Sequence, residues 1–300
     1  MKKFLYMFLF ATLVLLAPAV YASSEVYYTN NEGLGMTENQ YNNLLNQGFT
    51  EKQIERMDYE TFNKNKDIEA TIVAQKKQYV KTTTRMRNGI QTHTSQILTE
   101  DEMNAEVQAE KERNPYSLRG ATGTYYNGAA QNSYKIIFTT IAYLSTYDVM
   151  RYKLDTYWQM MPTTRSYDII GIGIEAAKVQ IDSLIDCRQD WRTSSDVSGY
   201  NTVCMPKTEG NGGSAMIDLP SGSLHILESY IYFTVDKIPG VNTVTSLTAT
   251  GDYAHATLDV SSNAYNYYNV NYVNGIEIDN PYANSYDDMN EAKAYFEGTW

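Results

Sequence analysis

"MRYKLDTYWQMMPTTRSYDIIGIGIE" occupies residues 150–175, and its reading decides the fold. In its first half Met150, Tyr152, Leu154, Thr156 and Trp158 alternate with Arg151, Lys153, Asp155 and Tyr157. Period-two alternation is the mark of a strand with one buried and one wet face, the habit of antiparallel sheets. Pro162 then presets a turn and lacks the N–H a ladder needs, so the first strand ends before it. A second strand begins near Tyr167. Ile170, Ile172 and Ile174 fall on one of its faces, Gly171 and Gly173 on the other. A strand with a glycine face admits close approach of another backbone or ring. The Gly-x-Gly is not a phosphate loop, since no third glycine follows and no helix N-terminus is expected after it. Arg165 and Asp168 are placed to pair across the turn.

The same texture runs outward from this pair. "YKIIFTTI", "SLHILESYIYFTVDKI", "VNTVTSLTAT" and "DYAHATLDVS" are β-branched and aromatic runs punctuated by Gly, Pro, Asn, Ser or Asp. Residues 133–300 therefore read as an antiparallel β-sandwich, jelly-roll-like, and long enough for a full core. Its end is expected to be a helix. Ser285 caps it, Asp287 and Asp288 fill the first turn, and Met289, Ala292 and Phe296 share a face.

Ahead of the sandwich, residues 67–132 are poor in apolar side chains and read as a polar connector. "ATIVAQKKQYVKTTTRM" is ambiguous between strand and polar helix. "LTEDEMNAEVQAEKERNP" is a helix near 100–113, with Thr99 and Glu102 as a capping box, acids early, Lys111 and Arg113 late, and Pro115 as its stop. Gly120 to Gly128 reads as a loop. Residues 23–66 form a small helical module. Thr37 with Gln40 and Thr50 with Gln53 are two capping boxes, Gly48 stops the first helix, and Asp58 caps a third. Tyr41, Leu44, Leu45, Phe49, Ile54, Met57 and Phe62 supply a core too small to stand alone.

At the start, Lys2 and Lys3 precede the apolar run Phe4–Leu16, and Val20-Tyr21-Ala22 follows. This spells a secretory signal over 1–22, cleaved after Ala22, and shorter than a spanning helix. No second apolar run is a candidate anchor. Removing 1–22 takes two lysines and no acids, moving the formal charge from −11 to −13. That balance repels phosphates and argues against nucleic acid as a partner. Cys187 and Cys204 are the two cysteines. Outside the cell they are expected to form a disulfide contributing about 3 kcal/mol.

Tyr27-Tyr28-Thr29-Asn30 followed by "MTENQYNNLLNQGFTEKQIERM" resembles an N-terminal module of uncharacterised secreted proteins of Gram-positive bacteria. "MPTTRSYDIIGIGI" and "GDYAHATL" resemble segments of the same group. The resemblance implies a secreted bacterial protein and carries no activity.

The residues bear on several chemistries. His225 and His255, with Asp252, have the residue types of a zinc site but not a ligand spacing. Glu277, Asp279, Asn284, Asp287 and Asp288 offer oxygens to calcium without a calcium-loop pattern. "PSGSLH" lacks the Gly-x-Ser-x-Gly elbow, and Glu175, Glu228 and Asp236 are carboxylates that sequence does not pair. The expectation is therefore no enzyme, no metal and no cofactor. There are 27 Tyr against 8 Phe, and "SNAYNYYNVNYVNG" sets Tyr265, Tyr267, Tyr268 and Tyr272 among asparagines. Amphipathic rings beside amides stack on sugars or peptides and hydrogen-bond to them. The expected function is a secreted noncatalytic binding protein contacting an envelope glycan or an extracellular protein. An antimicrobial or toxin-like effector, or an extracellular hydrolase, are the alternatives.

Overall fold

A computed structural model of the 300-residue chain describes residues 25–88, 90–113, 130–193, 198–201, 204–287 and 291–300. The signal over 1–22, the loop at 120–128 and the expected positions of Asp288 and Met289 lie outside the described residues. The chain is mainly β, built of antiparallel strands, as its alternation predicts.

In order, the elements are β1 (Tyr28–Thr29), β2 (Gly35–Met36), α1 (Glu38–Asn46), α2 (Glu51–Glu55) and α3 (Tyr59–Asn65). There follow β3 (Ala70–Arg87), β4 (Ile90–Leu98), α4 (Glu100–Arg113), β5 (Ala130–Leu144), β6 (Val149–Met160) and β7 (Tyr167–Ile174). Then come β8 (Val179–Ile181), β9 (Asp186–Thr193), β10 (Ser198–Asn201), β11 (Cys204–Glu209), β12 (Gly212–Asp218) and β13 (Leu224–Lys237). The chain closes with β14 (Ser246–Ala254), β15 (Tyr268–Asn271), β16 (Gly275–Ile278) and β17 (Ala292–Glu297).

Two sheets make the sandwich. The larger has eight strands in the order β10-β9-β13-β6-β5-β3-β4, with β8 also paired to β13; the smaller runs β11-β12-β7-β14-β17. Between them lies one continuous apolar core. It takes Ile137, Tyr152, Leu154, Trp158, Ile231 and Phe233 from the larger sheet and Ile170, Ile172, Ile174, Ala215, Leu247 and Tyr253 from the smaller. The two strands of the opening stretch therefore lie on opposite sheets, and Pro162 sits where the chain crosses between them. Cys187 on β9 and Cys204 on β11 form the expected disulfide, Cα–Cα 6.0 Å, and tie the sheets a second time.

Each sheet has a further layer on its outer face. On the smaller, the β15–β16 hairpin packs against Ile169, Met216 and Ala254 through Tyr268, Val270 and Ile276. This answers what lies on the glycine face of β7. A Cβ on Gly171 would meet Val270 at 2.8 Å, and one on Gly173 would run into the Asn271 carbonyl. The glycines are there because a second backbone crosses them. On the larger sheet, Met36, Leu44, Phe49, Ile54, Met57 and Phe62 of the N-terminal module close over Tyr230 and Tyr232. Both capping boxes form, and the Asp58 side chain accepts the Thr61 amide. Further along, α4 lays Met103 and Val107 on Leu98, Tyr134 and Met160.

Three expectations change. First, the face of β6 carrying Arg151, Lys153 and Asp155 is not wet: all three are buried beneath α1 and α2. Alternation reports which side chains share a face and is silent on what covers it. Second, much of 67–132 is not a connector. β3 pairs with β5 from Ala70 to Arg85 and with β4 from Tyr79 to Arg87, so both strands belong to the larger sheet. Their exposed side is polar, which thinned the apolar signal, while Val80, Thr82 and Thr84 alternate inward. Third, the C-terminal segment is a strand, not a helix. Ala292 and Ala294 point in, Lys293 and Tyr295 point out, and β17 pairs with β14 from Ser246 to Gly251. The i, i+3 coincidence of apolar residues there lost to a period of two set by the ladder.

Candidate functional site

The four tyrosines do not form one surface. Tyr268 is 1 % exposed and belongs to the core beneath the hairpin, where it accepts a hydrogen bond from Ser214 Oγ at 3.3 Å. Burial raises its phenol well above the usual range, so it stays neutral. Its expected role in binding is corrected by the pleat: Tyr268 and Val270 point onto β7, so the residues between them point away. Tyr265 is half-buried, its hydroxyl donating to the Pro206 carbonyl at 2.8 Å. Tyr272 is exposed but stands in the hairpin turn, beside Val273.

Tyr267, 38 % exposed, sits at the other end of the hairpin. Its carbonyl accepts the Asp279 amide at 2.7 Å, which closes the hairpin base. That closure brings Tyr282 alongside, ring centroids 5.4 Å apart and tilted by 57°. The Tyr282 hydroxyl shares a hydrogen bond with Ser261 Oγ at 3.2 Å. Tyr282 is half-buried, and in the chain segments on either side of the pair Asn263, Asn266, Asn269, Asp279 and Asn280 are all exposed. The result is two amphipathic rings at an angle, in a stretch of chain rich in exposed amides. Tyr282 was missed in the sequence because it joins Tyr267 only through the 267–279 backbone contact. Its one local signal is the Asn280-Pro281 turn just before it, joined by a cis peptide bond.

The catalytic and metal candidates are dispersed. His255 does not meet Asp252. The two lie on opposite faces of the smaller sheet: Asp252 under the hairpin, His255 toward the larger sheet with Nδ1 on the Asp168 carboxylate at 2.9 Å. Asp168 also accepts the Tyr253 hydroxyl at 2.5 Å and the Ala256 amide at 2.9 Å, so the turn places it in the sandwich rather than at the surface. Beside it Lys135 donates to Asp287 Oδ2 at 2.8 Å and to the Tyr253 carbonyl at 3.0 Å. Asp287 accepts from Thr82 Oγ1 and the His255 amide as well. Every carboxylate oxygen here is taken by a structural donor, and no hydroxyl hydrogen-bonds the His255 ring among the described residues. His225 is exposed and His93 half-buried on β4. Glu277 accepts from Asn274 at 2.7 Å, and Asp287 is held by Lys135, which disperses the calcium candidates. Among the described residues no group of three or more His, Cys, Asp or Glu side chains is placed to hold a metal ion.

Glu228 pairs with Arg56 and Glu175 with Lys178, so two of the candidate carboxylates are structural ion pairs. The Arg56–Glu228 pair lines an open groove of about 430 Å³ between the helical module and the β9–β10 edge. Arg188 lies in the same groove and is satisfied by Asp190 at 2.8 Å and by Asp58. It is a seam sealed by ion pairs.

No known protein family and no curated protein matches the sequence. Among solved structures, one described as "AvmM Catalyzes Macrocyclization in Alchivemycin A Biosynthesis" is similar at 10% identity over 49% of this chain and 80% of that one, with a TM-score of 0.19. A likeness that loose carries no argument about this chain.

Proposed function

We propose that the protein is a secreted, noncatalytic binding protein that contacts envelope glycan through Tyr267 and Tyr282. The supporting observation is the tilted Tyr267–Tyr282 pair at the base of the hairpin, Tyr267 exposed and Tyr282 half-buried against the core under it, with exposed asparagines beside them in the chain. Rings of this kind stack on the apolar face of a sugar, and neighbouring amides and carboxylates meet its hydroxyls, at small cost in side-chain entropy. The disulfide fits an oxidising compartment. No described helix is long and apolar enough to cross a membrane.

The test is retention of the mature chain on cell-wall polysaccharide. Tyr267→Ala with Tyr282→Ala is expected to weaken retention roughly tenfold, the loss of a ring pair at a binding hot spot. Thermal unfolding of the variant must match the parent. Undiminished retention by a folded variant would sink the proposal.

A further inference from the structure

Four strands end the main order of the two sheets, β8 being a three-residue branch on β13, and three of the four carry a device that blocks further pairing. β10 is only four residues long and contains Gly199. β11 contains Pro206 and the Lys207–Glu209 ion pair. β17 carries Lys293 and Glu297 on its outward face, with Tyr295 between them. Short length, proline and edge charge are the usual means by which a sheet refuses another chain. The fourth, β4, has none of them. It is nine residues, "IQTHTSQIL", without Lys, Arg, Asp, Glu, Pro or Gly, and its register with β3 runs from Leu98 to Ile90 without a bulge. It ends the larger sheet with no described strand beyond it, and it carries Ile97 at 55 % exposure.

We propose that β4 pairs antiparallel with β4 of a second copy of this chain, about a twofold axis at Thr94. Thr94 is the midpoint, so this register overlaps all nine residues. It sets Thr92 opposite Gln96, His93 opposite Ser95, and Thr94 opposite itself, with no like charges facing. Ile97 comes to lie opposite Gln91. A twofold perpendicular to the sheet keeps both copies' outer faces on one side, as an isologous contact requires.

Charge selects a second copy over an unrelated strand. Directly after β4, α4 opens with Glu100, Asp101 and Glu102. At the other end of the β3–β4 hairpin, Arg85 and Arg87 are exposed and have no acidic partner among the described residues. Arg87 pairs with Ile90 and Arg85 with Thr92. Tyr79, on the same face of β3 as both arginines, is bonded to Glu100 at 2.5 Å, so the arginines and the start of α4 share the outer face. In the antiparallel register the end of one β4 lies beside the start of the other. The acidic first turn of α4 in each copy then comes level with Arg87 of its partner, twice over by symmetry. Facing potentials of this kind set partner and orientation.

Sedimentation velocity on the mature chain across a concentration series tests this. The parent is expected to run as a dimer. Thr94→Lys, at an exposed position, sets two ammonium groups on the axis and is expected to weaken the dimer tenfold or more. Arg87→Glu is expected to weaken it too, and adding Asp101→Arg to restore it. A parent that is monomeric at every concentration overturns the proposal. So does a dimer that withstands Thr94→Lys while the variant's unfolding midpoint is unchanged, or a charge swap that fails to rescue.

Discussion

Asp252 shows how a single residue ties the β15–β16 hairpin to the sandwich. It lies on β14 beneath the hairpin, fully buried, with Oδ2 accepting the Ile276 amide at 3.0 Å and Oδ1 the Tyr253 amide at 2.7 Å. Burial pushes its carboxyl up to about 7, against which the two amides pull only partway back. Between about pH 4 and 7 the folded chain thus holds a proton that the unfolded chain has released. This group's contribution to stability is therefore largest below about pH 4, falls as pH rises through that window, and levels off above about 7. The fall is on the order of 4 kcal/mol for a shift of this size. Asp252→Asn keeps an acceptor for Ile276 and removes the titration. Unfolding midpoints at pH 4 and pH 8 should then differ less in the variant than in the parent; equal slopes would count against a buried proton here. At this scale the sequence was half legible. The glycine face of β7 announced a close neighbour, but Tyr267 and Tyr268 look alike in the chain. Only the pleat of the hairpin decides which is core and which is surface.

At the scale of elements, the contact between α2 and β6 is the part that sequence patterning hid. Lys153 and Asp155 form an ion pair with no exposure, and Gln53 of α2 bridges them, Nε2 donating to Asp155 at 2.6 Å and Oε1 accepting from Lys153 at 3.0 Å. Oε1 of Gln53 also accepts the Thr50 amide, so the residue that closes the capping box also docks the helix. Arg151 makes the parallel contact with Gln47. Burial pushes Lys153 down and Asp155 up, each toward its neutral form, so neither tolerates loss of the other. Lys153→Met is expected to cost about 3–5 kcal/mol in denaturant unfolding, because it strands a buried carboxylate. Lys153→Met with Asp155→Leu should recover most of that. A double variant as unstable as the single one would mean that the pair itself, not its satisfaction, holds the module down. The helices were legible from their caps, and the alternation of β6 was legible too. What joined them was not, since a polar stripe reads the same whether water or a polar helix face lies over it.

At the scale of the whole molecule, the two sheets are held by one shared core and one covalent bond. Cys187 lies on β9 of the larger sheet and Cys204 on β11 of the smaller, 17 residues apart, and the loop between them carries edge strand β10. The compartment argument found the bond; its role as a link between sheets needed the topology. Closing a loop of that length removes about 3 kcal/mol of freedom from the unfolded chain. Because the inter-sheet core is continuous from Ile137 to Leu247, the sheets have no separate interiors to melt independently. Cys187→Ala with Cys204→Ala should therefore lower the unfolding free energy by about 3 kcal/mol and leave one cooperative transition. The parent in reductant should fall to the same midpoint. Tryptophan fluorescence, which reports on buried Trp158, and far-ultraviolet circular dichroism should coincide in both proteins. Two separated transitions in the bridge-free variant would show that the disulfide, rather than the shared core, makes the sandwich a single folding unit.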